Sequence, residues 1–389
     1  MRFALFHEIP VAKPWTPGDE HRAYHDVITE AVAADRNGWH GFWTVEHHFL
    51  EEFSHCSNPE VLYGAIAAQT ENLRLGYGVR LQPKPYNHPV RSAESAAVLD
   101  LISSGRVDFG TGRSSTRTEL EGFGIMPDQT RGMWREAIGH VVECWTNDEA
   151  SFDGEHWSMP KRRVLPKPFQ TPHPPMFGAT GSPGGHELMG ELGLGLCSFG
   201  VAVPPEELAG RIDLYRKGLE RCTSPVGAYV NDCAAAFLMC VVAPTRQEAR
   251  AIAEASFLWY PKASVTHITS VVRWMDDMAA GRDGTYDYLD DVRKMQDDGL
   301  VEHISMDWML DIGAVICGTP DDAVEQAQAF RAAGVDLLLC LTNPWKIPLD
   351  KRLQTVELMG RHVIPSLADP DRDAATTGVP ESARTPTRQ

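Results

Sequence analysis

The chain is poor in basic charge and has no long apolar run. Across 389 residues, 36 Lys and Arg face 53 Asp and Glu, a formal charge of −17. That acidity argues against nucleic acid or an anionic membrane as the main partner and favours small neutral or apolar ones, while leaving room for a local basic pocket that grips a phosphate. No stretch is long enough to cross a membrane, and the apolar run at 1–6 is too short for a secretory signal, so a cytoplasmic setting is expected. The eight cysteines, at 56, 144, 197, 222, 233, 240, 317 and 340, make no CxxC pair and no zinc-finger spacing. They read as free thiols, several of them in apolar runs where a thiol packs as a small hydrophobe. Also missing are GxxxxGK[ST], GxSxG and HExxH; His186-Glu187-Leu188-Met189-Gly190 fails at its last position. P-loop, α/β-hydrolase and zincin chemistry are thereby set aside, and no metal site is expected.

Apolar strand-like runs alternate with helix-like segments. Strands are expected at 3–7, 41–45, 73–77, 107–110, 175–179, 195–199, 233–242 and 335–341. Helices are expected at 20–37, 59–70, 90–103, 130–145, 183–192, 204–221, 320–333 and 348–364, with 151–174 Pro-rich and irregular. Strict alternation with crossover helices is the mark of a parallel sheet, and eight strands favour a closed (β/α)8 TIM barrel over an open sheet. Insertions interrupt it, the largest between strands 7 and 8, where an aromatic- and Met-rich helical segment at about 256–315 forms either an outer layer or a cap over a substrate pocket. The single barrel domain is expected to run over 1–365. From 369 to 389 the composition is that of a disordered tail.

Chemistry-bearing residues cluster where strands end. In Gly41-Phe42-Trp43-Thr44-Val45-Glu46-His47-His48-Phe49 an apolar strand turns abruptly into a carboxylate and two imidazoles, at the end where barrel active sites are built. A metal site fits poorly, because adjacent imidazoles diverge in extended backbone. The remaining readings are a hydrogen-bonded structural pair and acid–base work by His47 with Glu46 beside it, since an imidazole titrates near neutrality. After the fourth strand, Gly110-Thr111-Gly112-Arg113 offers close backbone approach and a guanidinium. After the fifth, Gly181-Ser182-Pro183-Gly184-Gly185 opens a helix whose amides and hydroxyl suit an anion. Each is an ordinary turn in isolation; together they suggest a phosphate grip. His55, His88 and Arg91 read as ordinary loop residues.

These pieces, with Asn87-His88-Pro89-Val90-Arg91 leading to Leu99-Asp100, Ser104-Gly105-Arg106-Val107-Asp108-Phe109-Gly110, and Ala333-Gly334-Val335-Asp336 through Asn343-Pro344, resemble in order and spacing the bacterial luciferase-like flavin-dependent monooxygenases. The resemblance covers nearly all of 1–365. It implies a (β/α)8 barrel with reduced FMN at the carboxyl face, supplied by a separate flavin reductase. It also implies a homodimer, and oxygenation by O2 of a fairly apolar organic substrate through a flavin (hydro)peroxide. By resemblance His47 falls on the catalytic histidine, Arg113 and Ser182 on phosphate-binding positions, and Gly78-Val79 on an unusual cis peptide under the flavin. Two departures speak against light emission while leaving flavin binding intact: Gly112 stands where light-emitting members carry a reactive cysteine, and Gly181 where they have an acidic residue beside the phosphate. The alternatives are a deazaflavin-dependent hydride-transfer enzyme on the same barrel and a flavin-binding protein without turnover.

Overall fold

The computed structural model describes residues 1–114, 116–277 and 304–368. Its first half runs β1 (Arg2–His7), α1 (Asp19–Arg36), β2 (Gly41–Thr44), α2 (Pro59–Ala67), β3 (Arg74–Tyr77), the two-residue β4 (Arg80–Leu81), α3 (Pro89–Ile102), β5 (Val107–Gly112), α4 (Arg117–Gly122) and α5 (Thr130–Thr146). A hairpin of β6 (Ala150–Asp153) and β7 (Ser158–Arg162) precedes β8 (Met176–Thr180), α6 (Pro183–Glu191), β9 (Gly195–Ser198), α7 (Pro205–Glu220), β10 (Ala234–Val242) and α8 (Arg246–Asp277). The chain ends with α9 (Met306–Asp311), β11 (Ile316–Gly318), α10 (Pro320–Ala332), β12 (Leu337–Leu341), α11 (Leu349–Leu358) and α12 (Ile364–Leu367).

Eight strands close into a parallel barrel in the order β1, β2, β3, β5, β8, β9, β10, β12 and back to β1. The ring closes because β1 pairs on one side with β2, Leu5 opposite Phe42, and on the other with β12, Leu5 opposite Cys340. Strands buried on both faces need continuous apolar sequence rather than alternation. Both β10 (AAAFLMCVV) and β12 (LLLCL) are buried along their whole length. Each such Leu or Phe contributes about 1.5–3 kcal/mol by leaving water. Helix starts are written in the sequence too: Pro opens α3, α6 and α10, and their caps are His88, Ser182 and Thr319. Pro fits there because a helix's first amide has no partner to lose.

All eight expected strands are present, with ends shifted by one or two residues. The stretch at 151–174, expected to be irregular, contains the antiparallel hairpin β6–β7. Its signal is short: in β6 only Ala150 and Phe152 turn inward, and Phe152 stacks on His140 at 4.0 Å. Between β10 and β12, α8 runs for 32 residues with Pro261 inside it. Residues 278–303 of the expected insertion, and the expected tail at 369–389, lie outside the described residues. Because the strands are parallel, their carboxyl ends open on one face. That face carries Glu8, the 45–49 loop, the 78–79 bond and the loops after β5 and β8, and α8 lies across it.

Candidate active site

His47 leaves the end of β2 with its amide donating to the Cys56 carbonyl at 2.9 Å. Its Nδ1–H donates to Glu119 Oε1 at 3.0 Å, and its Nε2 lies 3.6 Å from Glu8 Oε2. Glu119 is fully buried on α4 and collects further donors: the His48 amide at 3.0 Å, the Ser114 hydroxyl at 3.1 Å and the Thr116 hydroxyl at 2.6 Å. Glu8, the residue after β1, is buried and accepts from the Tyr260 hydroxyl of α8 at 2.9 Å. Burial by itself would push the His47 imidazole toward neutrality, but the Glu119, Glu8 and Glu46 carboxylates outweigh it and raise its pKa to about 9. At neutral pH the imidazole therefore holds its proton, where an unperturbed one would be mostly neutral. For Glu119 burial also opposes ionisation, yet the His47 charge and hydrogen bonds prevail and its pKa is lowered. For Glu8 burial prevails and its pKa is raised. Glu119 is thus the fixed anion of the group and Glu8 the carboxyl more readily protonated.

Glu46 is engaged elsewhere. Its carboxylate accepts from the Leu81 amide at 2.9 Å and from Asn87 Nδ2 at 2.9 and 3.1 Å, and His48 Nε2 lies 3.6 Å away. Asn87 Oδ1 in turn accepts from Arg80 at 2.8 Å. The network ties the β2 loop to β4 and the start of α3. His88, Arg91 and His55 also stand apart from His47: His88 caps α3, Arg91 pairs with Glu94, and His55 meets Glu20 at 2.9 Å.

At the barrel mouth the Gly78–Val79 peptide bond is cis. The Gly78 amide donates to the Thr44 carbonyl at 2.8 Å. A Cβ on Gly112 would lie 2.3 Å from Val79 Cγ2, so a side chain there would have to displace the Val79 side chain. Because β5 and β8 pair Thr111 with Gly178, Arg113 and Ser182 leave neighbouring strands side by side. Arg113 Nη1 donates to Thr130 Oγ1 at 3.2 Å. Ser182 is buried and caps α6, its hydroxyl oxygen accepting from the Gly185 amide at 3.1 Å, which leaves its O–H to donate. Gly184 lies exposed in the same first turn. A Cβ on Gly185 would lie 1.9 Å from Thr180 Oγ1, so only glycine lets this turn close. The Gly181 carbonyl is held by Arg211 at 2.8 Å. Behind the loop, His186 Nδ1–H donates to the Ser182 carbonyl at 2.6 Å, and the Ser198 hydroxyl lies 2.8 Å from Nε2. Burial lowers the His186 pKa to about 4, so the ring is neutral and Nε2 accepts from Ser198.

Aromatic side chains wall the space near His47. Phe53 lies 6.1 Å from the His47 ring and stacks on Tyr260 at 5.3 Å; His267 meets Phe53 at 5.1 Å. Phe6, Phe199 and Phe237 form a second cluster at 5.1–5.9 Å. The helix α8 is moored to α4 by Ser270, which accepts from the Arg117 amide at 3.2 Å, and by Trp274 under the Arg117 guanidinium at 5.5 Å. Sequence reading missed Glu8, Glu119, Tyr260 and His267. Thr116-Arg117-Thr118-Glu119 has the Thr-x-x-Glu form of a helix start, a signal that could have revealed α4. Nothing local marks Tyr260.

A parallel barrel with a protonated imidazole between carboxylates and an anion-ready loop pair on its carboxyl face defines a (β/α)8 enzyme. The chain belongs to the luciferase-like monooxygenase family, whose model matches residues 1–337, and is a flavin-dependent monooxygenase. It is 35% identical over 191 residues to the oxygenase component of a flavin-dependent trigonelline monooxygenase from Acinetobacter baylyi, covering 48% of this chain and 51% of that protein. It is 25% identical over 360 residues to limonene 1,2-monooxygenase from Rhodococcus erythropolis, covering 90% of this chain and 84% of the relative. The oxygenating constituent of 3,6-diketocamphane monooxygenase from Pseudomonas putida, solved with FMN, shares the fold with a TM-score of 0.72 at 20% identity, over 95% of this chain and 99% of that one.

Proposed function

We propose that the chain is the oxygenase half of a two-component system, taking reduced FMN from a separate flavin reductase and using O2 to oxygenate a fairly apolar organic compound. The observation that carries this is the pairing, on one barrel face, of a protonated His47 with an anion-binding loop pair. The donor set fits FMN: the Arg113 guanidinium, the Ser182 hydroxyl and the first-turn amide of Gly184 suit a phosphate, with Gly185 letting the turn close and Gly181 keeping the approach clear. Gly78-Val79 and Gly112 leave the mouth without projecting polar groups, as a flat ring requires. Bound there, the reduced flavin would supply two electrons to O2, one oxygen atom going to the substrate and the other to water. In that chemistry His47 holds and delivers a proton, Glu119 keeps the imidazole charged, and Glu46 fixes the loop between β2 and β4. Phe53, Trp259 and Tyr260 give the substrate side its apolar walls.

The reading extends to organisation. Residues 1–365 act as one domain, with the described helix α8 shaping the substrate side. Val61, Val98, Leu101 and Ile102 stand exposed on α2 and α3 and support a homodimer through that face. Eight free cysteines suit a cytoplasmic protein. Among the described residues no helix is long and apolar enough to cross a membrane.

Chemically reduced FMN mixed aerobically with the protein and a panel of aldehydes, cyclic ketones and terpenoids tests the proposal. Oxygen-dependent product is expected without NAD(P)H, and NADPH alone is expected not to bleach bound flavin anaerobically. Anaerobic turnover of an alcohol or carbonyl with a deazaflavin, and none with FMN and O2, would overturn it.

A further inference from the structure

Glu8 is 3% exposed. A carboxylate buried so deeply is costly unless paired. Its two oxygens differ. Oε1 accepts the Tyr260 hydroxyl at 2.9 Å, whereas Oε2 makes no hydrogen bond among the described residues and lies 3.6 Å from His47 Nε2. That separation is just beyond hydrogen-bonding range. On the opposite side of the ring, Glu119 is locked by His47 itself, the His48 amide, Ser114 and Thr116. The imidazole therefore sits between one fixed carboxylate and one whose orientation depends on a side chain borne by α8. Tyr260 also packs on Phe53 at 5.3 Å and on Phe237 at 5.8 Å, so its hydroxyl follows the seating of that helix. Pro261, the next residue, lacks an amide donor to the preceding turn, a local weakness at the point of contact.

We propose that Glu8 is a positioning residue for His47 and that Tyr260 sets it: by holding Oε1 the tyrosine hydroxyl aims Oε2 at Nε2, so the seating of α8 over the barrel mouth governs how firmly the imidazole holds its proton. The consequence for turnover rests on the oxygenase reading above; the electrostatic link stands on geometry alone. His47 is faced by Glu8 after β1, Glu119 on α4, Glu46 in its own loop and His267 on α8, and the Cys56 thiol adjoins Glu8 and Glu46. Burial favours the neutral form of Glu8 and the Tyr260 hydroxyl favours the anion. Without that hydroxyl Glu8 takes up a proton more readily. His47 then loses an anion and releases its own proton at lower pH.

The test is a ring 13C and 15N NMR titration of histidine-labelled, cofactor-free protein, comparing wild type with Glu8→Gln, Tyr260→Phe and the charge-retaining Glu8→Asp. The His47 midpoint is expected to fall by about one pH unit in Glu8→Gln, by less in Tyr260→Phe, and least in Glu8→Asp. If Glu8→Gln does not fold, Tyr260→Phe carries the test, since it keeps the ring packed on Phe53 and Phe237. In Tyr260→Phe the alkaline limb of kcat should move down with the NMR midpoint while the KM for reduced FMN stays put. A wild-type midpoint in folded Glu8→Gln or Tyr260→Phe overturns the proposal. Shifts as expected in a protein that never oxygenates would sink the oxygenase reading and leave this link standing; oxygenation with unshifted midpoints would do the reverse.

Discussion

Two histidines on the same barrel face, His47 partly exposed and His186 fully buried, titrate in opposite directions. His47, among Glu119, Glu8 and Glu46, has its pKa raised to about 9, whereas His186, between the Ser182 carbonyl and the Ser198 hydroxyl with Arg211 nearby, has its pKa lowered to about 4. Burial pushes both rings toward neutrality. Only the side with carboxylates overrules it, because a formal negative charge within a few ångströms of an imidazole outweighs neutral hydrogen-bond partners in a poorly solvated site. The face is thus divided. One half stores a proton, and in the other a neutral imidazole braces the loop that opens α6. A neutral His186 makes sense there, since its task is to brace the Ser182 carbonyl and thereby the helix cap.

The sharpest way to break this division is to remove the stored proton. His47→Ala should lower turnover by roughly 10²–10⁴-fold, with reducing equivalents escaping as hydrogen peroxide and FMN affinity nearly unchanged. Steady-state rates with a peroxide assay and flavin titration would check it, and wild-type rate and coupling would return His47 to a structural role. On the anion side, Arg113→Ala should weaken FMN by about one to two orders of magnitude, one charge-assisted hydrogen bond being worth roughly 1.5–3 kcal/mol. Riboflavin, which lacks the phosphate, should bind both proteins alike. Equal losses for the two ligands would mean that Arg113 acts elsewhere.

A milder change tests the cause of the asymmetry. Glu119→Gln keeps the shape and most hydrogen bonds but removes the nearest charge, so the His47 midpoint should fall by about one unit or more and the alkaline limb of activity should move with it. An unshifted midpoint in NMR would show that Glu119 is not what holds the proton. The smallest effect lies in stability. His47 is raised in the folded state, so its contribution is complete below its unfolded pKa near 6.5 and is lost as pH climbs through about 9. For His186 the sign is reversed: its folded pKa is depressed, the unfolded chain binds the extra proton, and stability is lost as pH falls from about 6.5 to about 4. Each window spans on the order of 3 kcal/mol. Urea unfolding across pH should show the acid loss vanish in His186→Gln and the alkaline loss vanish in His47→Gln.

Much of this was legible in the chain. Apolar runs such as 234–242 and 337–341, set in an alternating pattern of strands and helices, read as strands buried on both faces, and Ser and Pro at 182–183 announce a helix start. The placement of Gly112, Arg113 and Ser182 at successive strand ends followed from parallel topology, and so did His47 at the end of β2. For Glu46 the sequence offered two roles, partner of His47 or brace of the loop, because successive residues in extended backbone point to opposite sides; its carboxylate accepts from Leu81 and Asn87, partners that only the folded chain could show.

The sequence by itself determined the alternation of strands and helices, hence a closed barrel with one chemical face, and the residue types waiting on that face. Tertiary structure alone decided which groups meet. Glu8, Glu119 and Tyr260 reach His47 across separations in sequence that no local pattern spans, and Tyr260 meets Glu8 from 252 residues away. An imidazole's proton affinity depends on charges within a few ångströms in space, and in a closed barrel those neighbours come from every part of the chain.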